Sequence, residues 1–110
     1  MGDVIPFGDR PLTPQRAMER IKTLWQEGQV EIQPHAGQQM RARRLEITDV
    51  EHIIRYGRVV EHSRPRPGGP WRYKVEGSAV DGGWAACVVE LVGRLLIITV
   101  IGKRTKRGGR

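Results

Sequence analysis

The densest run of chemically capable residues in the chain is His35-Ala36-Gly37-Gln38-Gln39-Met40-Arg41-Ala42-Arg43-Arg44. Wound as a helix at about 100° per residue, it brings His35, Gln39 and Arg43 onto one face, each step drifting by about 40°. Histidine exchanges protons near neutral pH. Arginine is a permanent cation whose planar fork grips two phosphate oxygens at once. Such a pair suits cleavage of an RNA phosphodiester without a metal. A base takes the 2′-OH proton, cations stabilise charge developing on the phosphate, and an acid protonates the departing 5′-oxygen. His35 is the expected proton-transfer group and Arg43 the expected phosphate ligand. Gln39, between them, is placed to orient phosphate or water. Arg41 is a further substrate-binding candidate, although Arg41 and Arg44 also suit a solvated helix surface.

A second set of candidates falls on strand-like stretches. Tyr73 alternates in phase with Trp71 and Val75, and could stack on a base or donate its hydroxyl to phosphate. Arg72 and Lys74, as substrate-binding candidates, belong to the opposite face, and only one of the two faces can line a single site. Thr99 interrupts an apolar strand, where a β-branched residue needs no further role. Lys103 follows that strand and could add a cation. His62 is a reserve candidate, and His52 is expected on a helix surface. No His-x-x-x-His spacing occurs, so no metal site is expected. No phosphate-binding glycine loop, dinucleotide fingerprint or nucleophile elbow occurs, so no cofactor is expected.

The elements that must position these residues come from a chain of 110 residues, the size of one domain able to bury a modest core. Net charge is +7, from 19 basic and 12 acidic residues. Residues 103–110 supply five of those charges, leaving +2 on the body. Cys87 is a lone cysteine in an apolar run, so no internal disulfide can form and a buried thiol is expected. No apolar run approaches the ~18 residues of a membrane span. With no signal-peptide pattern at the start, a cytoplasmic protein is expected.

Residues 1–12 read as a flexible arm, 13–102 as the folded domain and 103–110 as a basic tail. Thr13-Pro14 opens a helix whose apolar stripe (Ala17, Met18, Ile21, Leu24, Trp25) runs to Gly28. Val30 to Ile32 reads as a short extended link. Pro34 starts the helix of His35, whose apolar face is thin. Thr48-Asp49-Val50-Glu51 has the spacing of a capping box for a third helix that ends at Tyr56-Gly57. The period then shifts from about 3.6 to about 2. Strands follow at 58–63, 71–77, 84–92 and 95–101, separated by the Arg64 to Pro70 loop, an Asp81-Gly82-Gly83 turn and a Gly93-Arg94 turn. The last two strands are apolar on both faces and are expected to be central and covered on both sides. Helices followed by strands predict an α+β domain, with three N-terminal helices packed on a mostly antiparallel four-stranded sheet.

At this point a family resemblance enters. His35-Ala36, Gln39-Met40, Arg43, Leu45 and Asp49-Val50 resemble the helix signature of the bacterial domain of unknown function 4258. So do the Tyr73 to Gly77 strand and Leu96-Ile97-Ile98-Thr99-Val100-Ile101. The helix ending Glu27-Gly28-Gln29-Val30 also looks like the opening of MqsR-type toxins. Both groups are similar to RelE-like ribonuclease toxins, which share a helix-plus-sheet fold with barnase. The resemblance implies a RelE-like domain over 13–102, a metal-independent endoribonuclease, and an acidic cognate antitoxin as partner beside RNA. Two other readings fit the residues. One is a noncatalytic RNA- or DNA-binding module, since Arg41 to Lys74 holds nine basic and four acidic residues. The other is a protein-interaction domain.

Overall fold

The computed structural model describes residues 10–102. Helix α1 spans Pro14–Gln26. The Thr13 hydroxyl accepts from Arg16 N at 3.2 Å, and Pro14 occupies the first turn, where no amide donor is required. Its buried stripe is Ala17, Met18, Ile21 and Leu24. Strand β1 (Val30–Ile32) follows, then α2 (Pro34–Arg43) and α3 (Ile47–Tyr56). Four longer strands complete the chain: β2 (Arg58–Ser63), β3 (Arg72–Ser78), β4 (Trp84–Leu91) and β5 (Leu95–Gly102).

The fold is α+β, as expected, but the sheet has five strands in the order β1-β5-β4-β3-β2 and is mixed rather than four-stranded. The expected link at Val30 to Ile32 is a strand running parallel to Leu95 to Ile97. Three residues are too few to show a period-2 pattern, and a parallel partner leaves no hairpin turn in the sequence. Backbone bonds extend the pairing at both ends, from Leu95 N to Gln29 O and from Gln33 N to Ile97 O.

The start of α3 also departs from expectation. Thr48 is exposed and takes no part in the cap. The N-cap is Glu46, and the Asp49 carboxylate accepts from Glu46 N at 2.8 Å. Its other oxygen accepts from Val80 N at 2.9 Å, tying α3 to the β3–β4 turn. Asp49 is 2% exposed, so those backbone bonds replace the water it gave up.

All three helices bury their apolar residues in one cluster with Tyr73, Val75, Cys87, Val89, Leu95, Ile97 and Val100. These strand residues share one face of the sheet by register. The expected cover on both faces of β4 and β5 is therefore met on one face only. Gly57 and Gly77 let the end of α3 lie directly on β3. A Cβ at Gly57 would stand 2.5 Å from Ile53 O and 2.6 Å from Glu76 O.

Candidate active site at the α2–β5 edge

Because β1 stops at Ile32, β5 has no strand neighbour on that side beyond Ile97. Helix α2 takes the place of the missing strand. Gln39 Oε1 accepts from Val100 N at 2.8 Å, satisfying an amide that the short β1 leaves unmatched. Gln33 beside Ile97 and Gln39 beside Val100 show that α2 and β5 advance together. With about 1.5 Å of rise per helical residue and about 3.3 Å per strand residue, His35 lies roughly level with Ile98, and Arg43 with Ile101 and Gly102.

Burial grades smoothly around α2. Ala36 and Met40 face the core, Arg43 and Gln39 are half-buried, and His35 is exposed. This follows from the wheel: His35, Gln39 and Arg43 sit at about 0°, 40° and 80°, with Ala36 at about 100° and Met40 at about 140°. The expected stripe is real, and it is held in place by its middle member. The His35 and Arg43 side chains have no hydrogen bond or ion pair among the described residues. No acidic residue occurs between Gln33 and Leu45, so α2 itself offers no carboxylate to Arg41 or Arg43.

Thr99 is near this region in the chain but turns the other way. It is half-buried on the sheet face away from the helices, opposite Val88 and next to the anchored Val100. The remaining candidates lie elsewhere. Arg41, at about 240° on the wheel, projects from the side of α2 opposite the core. Tyr73 is 3% exposed in the core, and its hydroxyl accepts from Leu12 N at 2.9 Å. It lies on β3, with β4 between it and β5.

Arg72 and Lys74 occupy the opposite face from Tyr73, as their alternation predicts, but acidic residues of adjacent strands balance them. Arg72 Nε donates to Glu90 at 2.8 Å. Lys74 lies across from Glu61, with its ammonium 6.0 Å from the Trp84 ring centre. Arg58 faces Glu76 in the same register. Cations and carboxylates thus alternate across neighbouring strands on this face, with Arg72–Glu90 closing as an ion pair and the other two standing as register neighbours. Lys103 falls outside the described residues.

The reserve candidate His62 has a structural setting, and so does His52, which is half-buried rather than a free surface residue. His52 Nδ1 lies 2.8 Å from Ser78 O, and its ring packs on Tyr56. His62 meets Trp71 edge-on, with Arg64 stacked 5.0 Å over the same indole. Among the described residues, no group of three His, Cys, Asp or Glu side chains is arranged to hold a metal ion. Two surface grooves, of about 280 and 210 Å³, lie along α1 and between α1 and α3. Neither of these two grooves is lined by His35, Gln39 or Arg43.

Sequence reasoning missed the structural roles of two residues. The capping box was assigned to Thr48 and Glu51, whereas Asp49 caps α3 and is the buried tie between α3 and the β3–β4 turn. Gln39 read as a phosphate ligand but anchors α2 to β5. The signal available for Gln39 was the brevity of the Val30–Ile32 segment, which leaves β5 amides to be matched by something other than a strand.

Fold and edge together define an α+β domain in which a basic helix seals one margin of the sheet. A family model described as Domain of unknown function (DUF4258) matches residues 32–101, and the chain belongs to that family. The match starts at the last residue of β1 and runs through α2, α3 and the four long strands, leaving α1 outside. No curated protein and no solved structure matches the chain. No helix among the described residues is long and apolar enough to cross a membrane.

Proposed function

We propose that the protein is a metal-independent endoribonuclease of RelE/MqsR-like fold, the toxin of a bacterial toxin–antitoxin pair. The observation that carries this reading is the anchored stripe. Gln39 fixes the rotation of α2 against β5, which keeps His35 open to solvent and Arg43 at the sheet margin without a carboxylate partner. In the proposed reaction His35 accepts the 2′-OH proton of RNA. The 2′-oxygen bonds to phosphorus as the P–O5′ bond breaks, leaving a 2′,3′-cyclic phosphate. The imidazolium then returns the proton to the departing 5′-oxygen. Arg43 supplies charge to the phosphate oxygens. The Cα atoms of His35 and Arg43 are ~12 Å apart along the helix, a rise that the long Arg43 side chain has to span to share a phosphate with His35. An acidic antitoxin would cover the basic helix.

The test is cleavage of purified RNA by the parent, His35→Ala and Arg43→Ala proteins. Loss of general acid–base catalysis lowers the rate by about 10²–10⁴. Arg43→Ala is expected to be weaker than the parent by tenfold or more, on the order of one charge-assisted contact. Equal cleavage by all three proteins would remove the proposed site. Growth arrest on expression, relieved by a neighbouring gene product, tests the toxin role separately.

One observation favours a second reading. Among the described residues the His35 ring has no hydrogen-bond partner to fix its tautomer, and no second proton-transfer side chain joins the stripe. A noncatalytic RNA-binding module would need neither. Salt-sensitive RNA binding by the parent with no cleavage product would select it.

A further inference from the structure

Strands β4 and β5 are apolar on both faces, yet the helices bury only one of them. On the other face β4 presents Trp84, Ala86 and Val88, and β5 presents Leu96, Thr99 and Ile101. Ala86 stands opposite Ile101 and Val88 opposite Thr99. None of these six residues belongs to the cluster under the helices. Trp84 is 47% exposed, and Val88, Leu96, Thr99 and Ile101 are half-buried. A sheet face left to water ordinarily carries polar residues, so an apolar strip two strands wide marks a contact surface.

The β2–β3 side of the same face is charged but neutral in sum. Arg58 stands opposite Glu76, Lys74 opposite Glu61 and Arg72 opposite Glu90. A polyanion gains little from cations matched in this way, which argues against nucleic acid as the occupant. The outer edge of β2 is also a poor place for pairing, because the bulge between Val59 and Glu61 interrupts its ladder.

We infer that the uncovered face is the contact between two copies of this chain, stacked sheet on sheet about a two-fold axis that runs along the strands between β4 and β5. Such an axis lays β4 of each copy over β5 of the other and keeps their residue rows level. Val88 then meets Thr99, and the small Ala86 meets the large Ile101, so the two faces can close to the ~10 Å of a packed sandwich. Arg72, paired with Glu90, comes over β1 of the second copy. There Glu31 shares this face, in register with Leu96, and pairs with Arg94 at 3.0 Å. The four side chains alternate in sign across the contact, which sets the register of the two copies. Three strands at ~4.8 Å spacing and ~20 Å of length give each copy a modest face, and the pair buries on the order of 1,000 Å². That is the lower bound for a specific interface, so the dimer is reversible rather than permanent. The contact uses no residue of α2 and stands apart from the ribonuclease reading.

The test is sedimentation of the full chain from about 1 to about 200 μM, a range that spans weak specific contacts. The parent should pass from monomer to dimer, with half-conversion in roughly the tens of micromolar. Val88→Lys places an ammonium in the apolar contact and should weaken dimerisation by about tenfold or more. Val60→Lys, on the exposed outer strand, should leave the dimer intact. A measurement on the parent alone covers the case of a variant that folds poorly. Hydroxyl-radical labelling of Trp84 should fall as the dimer fills, while Tyr56, 67% exposed on α3, labels at a constant rate. A parent that stays monomeric throughout would overturn the assignment and leave the face to a different partner. A dimer in which Trp84 labels as fast as in the monomer would overturn it too. So would a dimer that survives Val88→Lys and is lost in Val60→Lys, which would move the contact to the β2 edge.

Discussion

At the scale of single residues, Gln39 carries a role that its type and spacing did not announce. A polar residue between His35 and Arg43 on one helix face suggested a phosphate or water ligand. In the fold its carbonyl oxygen is spent on Val100 N, and Val100 is fully buried. Removing that acceptor strands a backbone N–H at a place water reaches poorly, which costs about 1–3 kcal/mol. Gln39→Ala is therefore expected to lower stability by that amount in urea unfolding, while Gln39→Glu, which keeps an acceptor, loses less than half as much. RNA cleavage should fall in both variants for different reasons. Alanine loosens the helix that holds His35 and Arg43, and glutamate puts a carboxylate between them. If Gln39→Ala unfolds at the parent midpoint, the anchor has no energetic weight. The stripe itself was readable because a helix repeats every 3.6 residues whatever it packs against. Which member touched the sheet was not readable, because that depends on where β1 stops.

Among the elements, long periodic segments were legible and those defined by a partner were not. Helix α1 and the strands from β2 to β5 follow from local pattern, and their boundaries fall within a residue or so of expectation. Strand β1 exists only because β5 offers it an edge. Similarly, the cross-strand pairing of Arg72 with Glu90 and Lys74 with Glu61 depends on turn lengths and on the bulge between Val59 and Glu61. Neither can be read from the charges alone, so these cations looked available for substrate. The burial of Tyr73 was nearer to hand, since it shares parity with Val75. The contact of α3 with β3 makes a sharp prediction. At Gly57 even a methyl group would meet two backbone carbonyl oxygens, and backbone cannot swing aside as a flexible side chain can. Gly57→Ala should destabilise by about 3 kcal/mol, at or above the upper end of ordinary overpacking. Gly28→Ala offers a contrast, because its Cβ would meet nothing within 4 Å and only its positive φ of 75° opposes the change. A cost of about 1 kcal/mol is expected there. Thermal or urea unfolding of the two variants side by side gives the comparison, and a Gly57→Ala protein no weaker than Gly28→Ala would contradict the close approach.

For the whole molecule, the single core that joins all three helices to one face of the sheet sets how stability responds to pH. Cys87 lies at its centre on β4, between Val75 of β3 and Val100 of β5, with no exposed surface. Burial pushes its thiol up to about 12 from 9.0, because the thiolate would lose its hydration. In the unfolded chain the thiol regains water and ionises near its ordinary value. Between those two values the unfolded state sheds a proton that the folded state keeps, so it binds fewer protons and gains stability as pH rises. The contribution is fully present below about pH 9 and declines by about 1.4 kcal/mol per pH unit above it. A Cys87→Ala protein lacks this titration but loses the sulfur's packing, which costs on the order of 1 kcal/mol. The parent should therefore be the more stable of the two near neutral pH, and the gap should close and then reverse above about pH 10. Urea unfolding of both proteins across that range measures the crossing while subtracting every other alkaline titration they share. A gap that stays constant with pH would mean that the thiol is hydrated in the folded protein, and that the core is open where the sheet and helices meet.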